Sequence, residues 1–393
     1  MRKNKILLVC GTRPEIIKMA PVFQALQNSQ YFLPVVIHTG QHTDIASPLY
    51  QFFRMMPRHS LNLHRRSGDL AHLTEILLAE FAPVLSCEQP AALLVHGDTT
   101  SAMTAALAAY YARIPIGHVE AGLRTYNKYS PFPEEMNRSL IGRLADWHYA
   151  PTLCARKALQ NEGIDSSRIV VTGNTVVDAA LQTAALMTVS ENLPSVVRQY
   201  RLDKRLAGRR LILVTAHRRE NWGNGLQRIA QAVDQLLSQY DDVFVIWPLH
   251  ANPDVSRCIK EALSHYSGNN SSLILCPPLD YPSLIWLQNH AWIVLTDSGG
   301  IQEESAALGT PVLILRDTTE RPELINAGGG VLVGTDTSVI YETVSNLYKN
   351  ADIWRGMKNI KNPFGSGEAA KNIVSHMEKV FYDNILSDRG ENE

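Results

Sequence analysis

The sequence is poor in the features that mark secreted, membrane or nucleic-acid-binding chains. Its five cysteines, Cys10, Cys87, Cys154, Cys258 and Cys276, are odd in number, scattered and free of C-x-x-C spacing. That excludes a disulfide framework and fits a reducing compartment. Cys10 and Cys276 lie in apolar runs, where a free thiol behaves as a small hydrophobe. Charge of one sign is missing too: 37 Lys and Arg face 38 Asp and Glu, a formal net charge of -1. No basic excess is available for bulk nucleic-acid binding, so any anion must be held by a few placed groups. Met1-Arg2-Lys3-Asn4-Lys5 precedes an apolar stretch, but residues 6–10 are too few for a signal-peptide core and no small-residue cleavage site follows. No segment reaches the length that crosses a bilayer. The expectation is a soluble, cytoplasmic protein without membrane insertion. No G-x-G-x-x-G follows the first apolar run and no P-loop occurs, so neither a tightly held dinucleotide nor ATP bound in the Walker manner is expected.

What is present is alternation. Apolar, β-branched runs cover 5–10, 35–39, 92–96 and 114–119, then 210–215, 243–247, 273–276, 292–296 and 311–315. Between them lie helix-like stretches such as 14–26, 100–112, 226–239, 283–290 and 301–308. Continuous apolar strands interleaved with helices imply parallel sheets covered on both faces. The pattern occurs twice in 393 residues, a length that itself implies two domains. The expected class is α/β with two Rossmann-like domains, residues 1–172 and 173–365, joined near 170–180. Residues 175–199 read as helical, and a last helix is expected over 368–384, with a disordered acidic end.

Polar residues gather after the expected strands. They include Gly11-Thr12-Arg13-Pro14-Glu15, Gly40-Gln41-His42, Gly97-Asp98-Thr99-Thr100 and Glu120-Ala121-Gly122-Leu123-Arg124 in the first half. The second half has Ala216-His217-Arg218-Arg219-Glu220, His250 and Asp297-Ser298-Gly299-Gly300. Any single turn of this kind needs Gly, Asp, Ser or Thr for its own geometry. Turns that carry Arg, His, Asp and Glu together instead indicate a ligand site at the carboxyl ends of the strands. Thr296-Asp297-Ser298-Gly299-Gly300-Ile301 is the phosphate candidate, since two glycines and a helix start present backbone N–H groups to an anion. Glu304, one turn on, is placed to accept from ribose hydroxyls. Asp98, Glu120 and Glu134 form the acid/base candidate, because clustered carboxylates raise one another's pKa. Asp98 could alternatively cap the helix beginning at Thr99 or Thr100, and Glu135 could pair with Arg138 and stay solvated. His217, beside Arg218, Arg219 and Glu220, is the histidine singled out among thirteen. His96, Asp98 and His118 have no thiolate partner and do not share a loop, so no metal is expected.

Taken together, Gly11-Thr12-Arg13-Pro14-Glu15-Ile16-Ile17-Lys18, Val95-His96-Gly97-Asp98-Thr99-Thr100 and Gly117-His118-Val119-Glu120-Ala121-Gly122-Leu123-Arg124 form the first part of a motif set. Pro131-Phe132-Pro133-Glu134-Glu135-Met136-Asn137-Arg138, Thr172-Gly173-Asn174-Thr175 and Thr215-Ala216-His217-Arg218-Arg219-Glu220 continue it. Asp297-Ser298-Gly299-Gly300-Ile301-Gln302-Glu303-Glu304 and Arg316-Asp317-Thr318-Thr319-Glu320-Arg321-Pro322-Glu323 complete it. In order from residue 5 to about 365, the set resembles the bacterial non-hydrolysing UDP-N-acetylglucosamine 2-epimerases. The resemblance implies a glycosyltransferase-B-like fold whose two domains face a cleft, with a C-terminal helix, about 366–385, packed back on the first domain. It implies reversible conversion of UDP-N-acetylglucosamine to UDP-N-acetylmannosamine for bacterial surface polysaccharide synthesis, no cofactor, a UDP-sugar as the small-molecule partner, and a homodimer. Arg13, Lys18, Asp98, Glu120, Glu134 and His217 inherit catalytic or sugar-proximal roles. Ser298, Gly299, Gly300, Glu304 and Arg321 inherit the UDP.

The sequence departs from the family after Gln41. His42-Thr43-Asp44-Ile45-Ala46-Ser47-Pro48-Leu49 lacks the usual Met-Leu-Asp pattern of a region that lines an activator site in several members. Leu279 and Leu284 differ from some relatives near the expected uracil pocket. Competing readings are an epimerase of a modified sugar, a hydrolysing epimerase, a glycosyltransferase and a UDP-sugar-binding scaffold. A glycosyltransferase leaves the carboxylate trio unexplained. Retention of Thr12-Arg13-Pro14-Glu15 disfavours the modified-sugar enzymes.

Overall fold

The computed structural model describes residues 3–40, 43–63, 69–188, 193–266 and 272–390. The apolar runs form strands because a sheet covered on both faces leaves no place for alternating polar residues. β1 (Asn4–Cys10), β2 (Phe32–His38), β3 (His59–Ser60), β4 (Ala92–His96), β5 (Ile116–Val119), β6 (Trp147–Ala150) and β7 (Ile169–Val171) build one parallel sheet in the order β3-β2-β1-β4-β5-β6-β7. β8 (Arg210–Thr215), β9 (Val243–Pro248), β10 (Leu273–Cys276), β11 (Ile293–Thr296), β12 (Val312–Ile314) and β13 (Gly330–Leu332) build a second, in the order β10-β9-β8-β11-β12-β13. β1 pairs with β2 from Asn4↔Phe32 to Cys10↔His38, and β8 with β11 from Ile212↔Ile293 to Thr215↔Thr296. In each sheet the order reverses beside its first strand, so the switch point falls between β1 and β4 and between β8 and β11. Ligand crevices in open α/β sheets lie at the carboxyl ends beside such points.

The chain divides into two compact units: one runs to Ala179 and takes in the chain from Gly365 onward, the other spans Ala180–Phe364. In the first, Leu7, Val9, Leu93 and Val95 pack with Leu77, Phe81 and Leu85 of helix Leu70–Glu88 and Ala102, Ala105 and Ala109 of helix Thr100–Tyr111. In the second, Ile212, Val214, Val245 and Trp247 pack with Leu226, Ile229 and Val233 of helix Asn224–Gln239. Helix Ala369–Gly390 belongs to the first unit, and the carboxylate of Asp178 accepts from Ala369 N at 3.2 Å and Ala370 N at 2.9 Å at its start. Phe381 meets Phe32 edge-on at 5.3 Å, and Ser29 Oγ donates to Glu378 at 2.6 Å.

Four strands escaped the apolar-run criterion: β3, β6, β7 and β13. β3 is two residues long, β6 contains Trp147 and His148, and β13 opens on Gly330. The helical stretch expected over 175–199 is helix Thr175–Leu186 followed by Ser195–Tyr200. A further correction concerns length: helix Leu70–Glu88 is, among the described residues, long and apolar enough by composition to cross a bilayer. Its stripe Leu73, Leu77, Phe81 and Leu85 is instead buried against the first sheet's core.

Candidate active site

At the first switch point the turns after β1 and β4 are tied by one carboxylate. Glu15, in the first turn of helix Arg13–Asn28, accepts from Gly11 N (2.9 Å), Thr12 N (2.6 Å), Thr12 Oγ1 (2.9 Å) and Thr99 Oγ1 (2.6 Å). Burial raises its pKa, and these four donors oppose that. A Cβ on Gly11 would lie 2.2 Å from Thr39 Oγ1, so any other residue at this turn must displace the Thr39 side chain. Arg13 is half-buried at the start of the helix. Thr99, not Asp98, caps helix Thr100–Tyr111, accepting from Ala102 N at 3.0 Å. The capping alternative for Asp98 therefore fails.

Asp98 accepts from Arg138 Nη2 at 2.5 Å. Its pKa is nonetheless raised: burial dominates over the Arg138 pair, and the neighbouring Glu120 and Glu134 add to the rise. Glu134 starts helix Glu134–Leu144 after the Pro131 and Pro133 turn, whose two X–Pro bonds are cis. Asn137 of that helix donates to the Asp98 carbonyl at 2.9 Å. Glu135 is buried and accepts from Thr125 N at 3.0 Å and Tyr126 N at 2.8 Å. Its 3.5 Å pair with Arg138 is thus not the solvated pair expected.

Glu120 follows β5 with a left-handed φ of +63°, a conformation that costs a non-glycine residue free energy and recurs at functional sites. Its Oε2 accepts from Lys18 Nζ at 2.5 Å and Asn174 Nδ2 at 2.8 Å. Lys18 and Glu120 side chains are 10% and 9% exposed, so this ion pair is largely desolvated. Removing one member of such a pair costs about 3–5 kcal/mol. His96 Nε2 lies 3.8 Å from Glu120 Oε1, too far for a hydrogen bond. Burial brings the His96 pKa down to about 4, so the imidazole is neutral. His118, with a pKa lowered by burial to about 3, donates Nε2–H to the Gly97 carbonyl at 2.7 Å, beneath the turn that carries Asp98.

In the second unit the organising group is Asp297, fully buried after β11. Its Oδ2 accepts from His217 N (2.9 Å), Arg218 N (2.8 Å) and Asn221 Nδ2 (2.9 Å), fastening the turn after β8 to the turn after β11. The His217 ring is half exposed, with Nδ1 3.6 Å from Asp297 Oδ1. Ser298 precedes helix Gly299–Ala307, and a Cβ on Gly300 would meet nothing within 4 Å, leaving its backbone open to a ligand. Arg321 binds Glu303 through Nε, and its guanidinium would be 3.9 Å from a Cβ on Gly299. Positive charge thus stands next to the helix start, where an anion is favoured. Glu304 is buried and accepts from Gln288 Nε2 at 2.8 Å.

The first unit therefore brings Lys18, Asp98, Glu120 and Glu134 into one charge-coupled group. The second gathers His217, Ser298, Gly299, Gly300 and Arg321 around the ends of β8 and β11. Sequence reasoning assigns no role to Asn174, pairs Arg138 with Glu135 and places Asp297 only within the phosphate loop; their observed partners Glu120, Asp98 and His217 lie 54, 40 and 80 residues away. Gln41 and His42 of the departing segment lie outside the described residues, as do the side chains of residues 43–45.

Comparison with known proteins gives consistent results. The family model for UDP-N-acetylglucosamine 2-epimerase matches residues 24–378. A UDP-N-acetylglucosamine 2-epimerase of Escherichia coli is 43% identical over 371 residues, 94% of this chain and 97% of that protein. The crystal structure of the UDP-GlcNAc 2-epimerase from Neisseria meningitidis, bound to UDP-GlcNAc, is similar at a TM-score of 0.85 and 40% identity, covering 95% of this chain and 100% of that one. A glycosyltransferase from Rickettsia africae, 14% identical, shares the fold alone at a TM-score of 0.64, covering 97% of this chain and 99% of that one. The two parallel-sheet units are thus of the glycosyltransferase-B-like class.

Proposed function

The chain belongs to the UDP-N-acetylglucosamine 2-epimerase family of isomerases, and from that premise we propose that it interconverts UDP-N-acetylglucosamine and UDP-N-acetylmannosamine without hydrolysis. The observation that carries this reading is the coupled group Asp98, Glu120 and Glu134 with Lys18 at the carboxyl ends of β4 and β5. The C2 proton of a hexosamine is not next to a carbonyl, so its direct removal is very costly. Elimination avoids that cost. A carboxylate takes the C2 proton while the C1–O bond to UDP breaks, leaving 2-acetamidoglucal and UDP. UDP then re-adds at C1 as a proton arrives at the opposite face of C2. Two-faced proton traffic needs at least two acid/base groups, and the trio supplies them; coupled carboxylates titrate as a set, so the roles are assigned to the set. Arg13, Lys18 and His217 offset charge that develops on the departing diphosphate. Ser298, Gly299, Gly300 and Arg321 hold the diphosphate, and Glu304 the ribose.

The proposal extends to a cytoplasmic homodimer that supplies surface polysaccharide synthesis. Its support for self-association is a set of exposed apolar side chains on two helices of the first unit, Tyr110, Tyr111, Met136 and Leu140, at 58, 69, 42 and 46% exposure. Product analysis tests the reaction. Incubation with UDP-N-acetylglucosamine should yield a mixture of the two UDP-linked epimers. Stoichiometric free N-acetylmannosamine and UDP would instead establish a hydrolysing enzyme.

A further inference from the structure

Asp297 has one oxygen fully used and one unmet. Oδ2 accepts the three N–H groups that shape the turn after β8. Oδ1 is buried and accepts no hydrogen bond. An uncompensated carboxylate oxygen in a desolvated site is costly. His217 Nδ1, 3.6 Å away, stands opposite it. The His217 main chain is already fixed by the same carboxylate and by Trp222 Nε1, which donates to the His217 carbonyl at 3.0 Å. A small ring rotation therefore closes the remaining gap to hydrogen-bond length.

We propose that Asp297 is a positioning residue for His217: its Oδ1 accepts from Nδ1–H, fixes the imidazole tautomer, and turns Nε2 toward the ligand's diphosphate. The inference rests on the reading that His217 serves the UDP-sugar, and it adds what orients that ring. A carboxylate can only accept, so the neutral ring must carry its proton on Nδ1 and present the Nε2 lone pair. When protonated, the ring keeps the Asp297 bond and offers Nε2–H to a phosphate oxygen. The half-exposed ring gives Nε2 that access, while burial of Asp297 keeps water from competing for Oδ1.

The test uses the full chain with 15N-labelled histidine, His217 being identified by the signal lost in His217→Asn. Above the imidazole titration range, the wild type should show Nδ1 protonated and Nε2 bare. Asp297→Asn keeps an oxygen for the three N–H groups but turns an amide donor toward the ring, so His217 should switch to the Nε2–H tautomer. Its kcat should fall about 100-fold or more with KM changed far less, as when an orienting carboxylate is neutralised in other His-dependent enzymes. A wild-type Nε2–H tautomer would overturn the proposal, as would the same tautomer in both proteins. These spectra need no turnover. A protein with the Nδ1–H signature but no epimerase activity would refute the function and leave the Asp297–His217 pair standing.

Discussion

Lowering the pH should weaken the first unit through three buried histidines. His96, His118 and His148 have pKa values lowered, chiefly by burial, from 6.5 to about 4, 3 and 4. The folded state therefore binds fewer protons than the unfolded one near pH 5–6. The stability they confer is complete above the free-imidazole value and is lost as pH falls toward the folded values. At about pH 5.5 each costs about 1.4 kcal/mol, so the three together cost about 4 kcal/mol relative to neutral pH. Burial outweighs the single backbone hydrogen bond, with Ala145, that favours the charged His148 ring, so His148→Leu should be neutral or stabilising at neutral pH. The variant should also recover about 1.4 kcal/mol of the acid loss, the share of one such histidine. Hydrogen exchange of the β4, β5 and β6 amides, at about pH 7.5 and 5.5, reads this free energy for the first unit alone. Comparing variant with wild type separates histidine from the carboxylates that titrate in the same interval. An equal acid loss in His148→Leu and wild type would refute the reasoning.

Other substitutions probe the site directly. Gly11→Ala forces a methyl against Thr39 Oγ1 and should cost about 2 kcal/mol or more, read from thermal unfolding, with loss of activity as the Glu15 tie is displaced. Asn174→Leu removes a donor from Glu120 at constant volume, and kcat should fall about tenfold while UDP affinity, measured by calorimetry, stays unchanged. Arg321→Met removes charge beside the Gly299 helix start, and UDP should bind about 10- to 100-fold more weakly.

How much of this was legible depended on how local the cause was. Strands at 92–96, 210–215 and 273–276 could be read to the residue, because each is an unbroken apolar run between turn residues. β6 could not: His148 faces His118 across the sheet, and no sequence pattern marks a buried neutral histidine as a strand residue. The gathering of polar residues at strand ends could be read for the same reason as the strands, since the turn follows wherever the strand stops. The connections among those residues could not. Glu120 is held by Lys18 from 102 residues upstream and by Asn174 from 54 downstream, and Asp297 organises a turn 80 residues before it. Periodicity carries no information about such pairs. Asp98 shows the limit at short range: Asp and Thr both cap helices, and the choice fell to Thr99 because Arg138 engages Asp98 instead.

The proposed reaction turns on proton exchange at C2 through the carboxylate group of the first unit. Incubation with UDP-N-acetylglucosamine in deuterated water, followed by NMR of both UDP-linked epimers, tests it most directly. Deuterium should appear at C2 in the wild type and fall by at least about 100-fold in rate in Asp98→Asn, Glu120→Gln and Glu134→Gln. Epimers that interconvert with no label at C2, or variants that label as fast as the wild type, would contradict it.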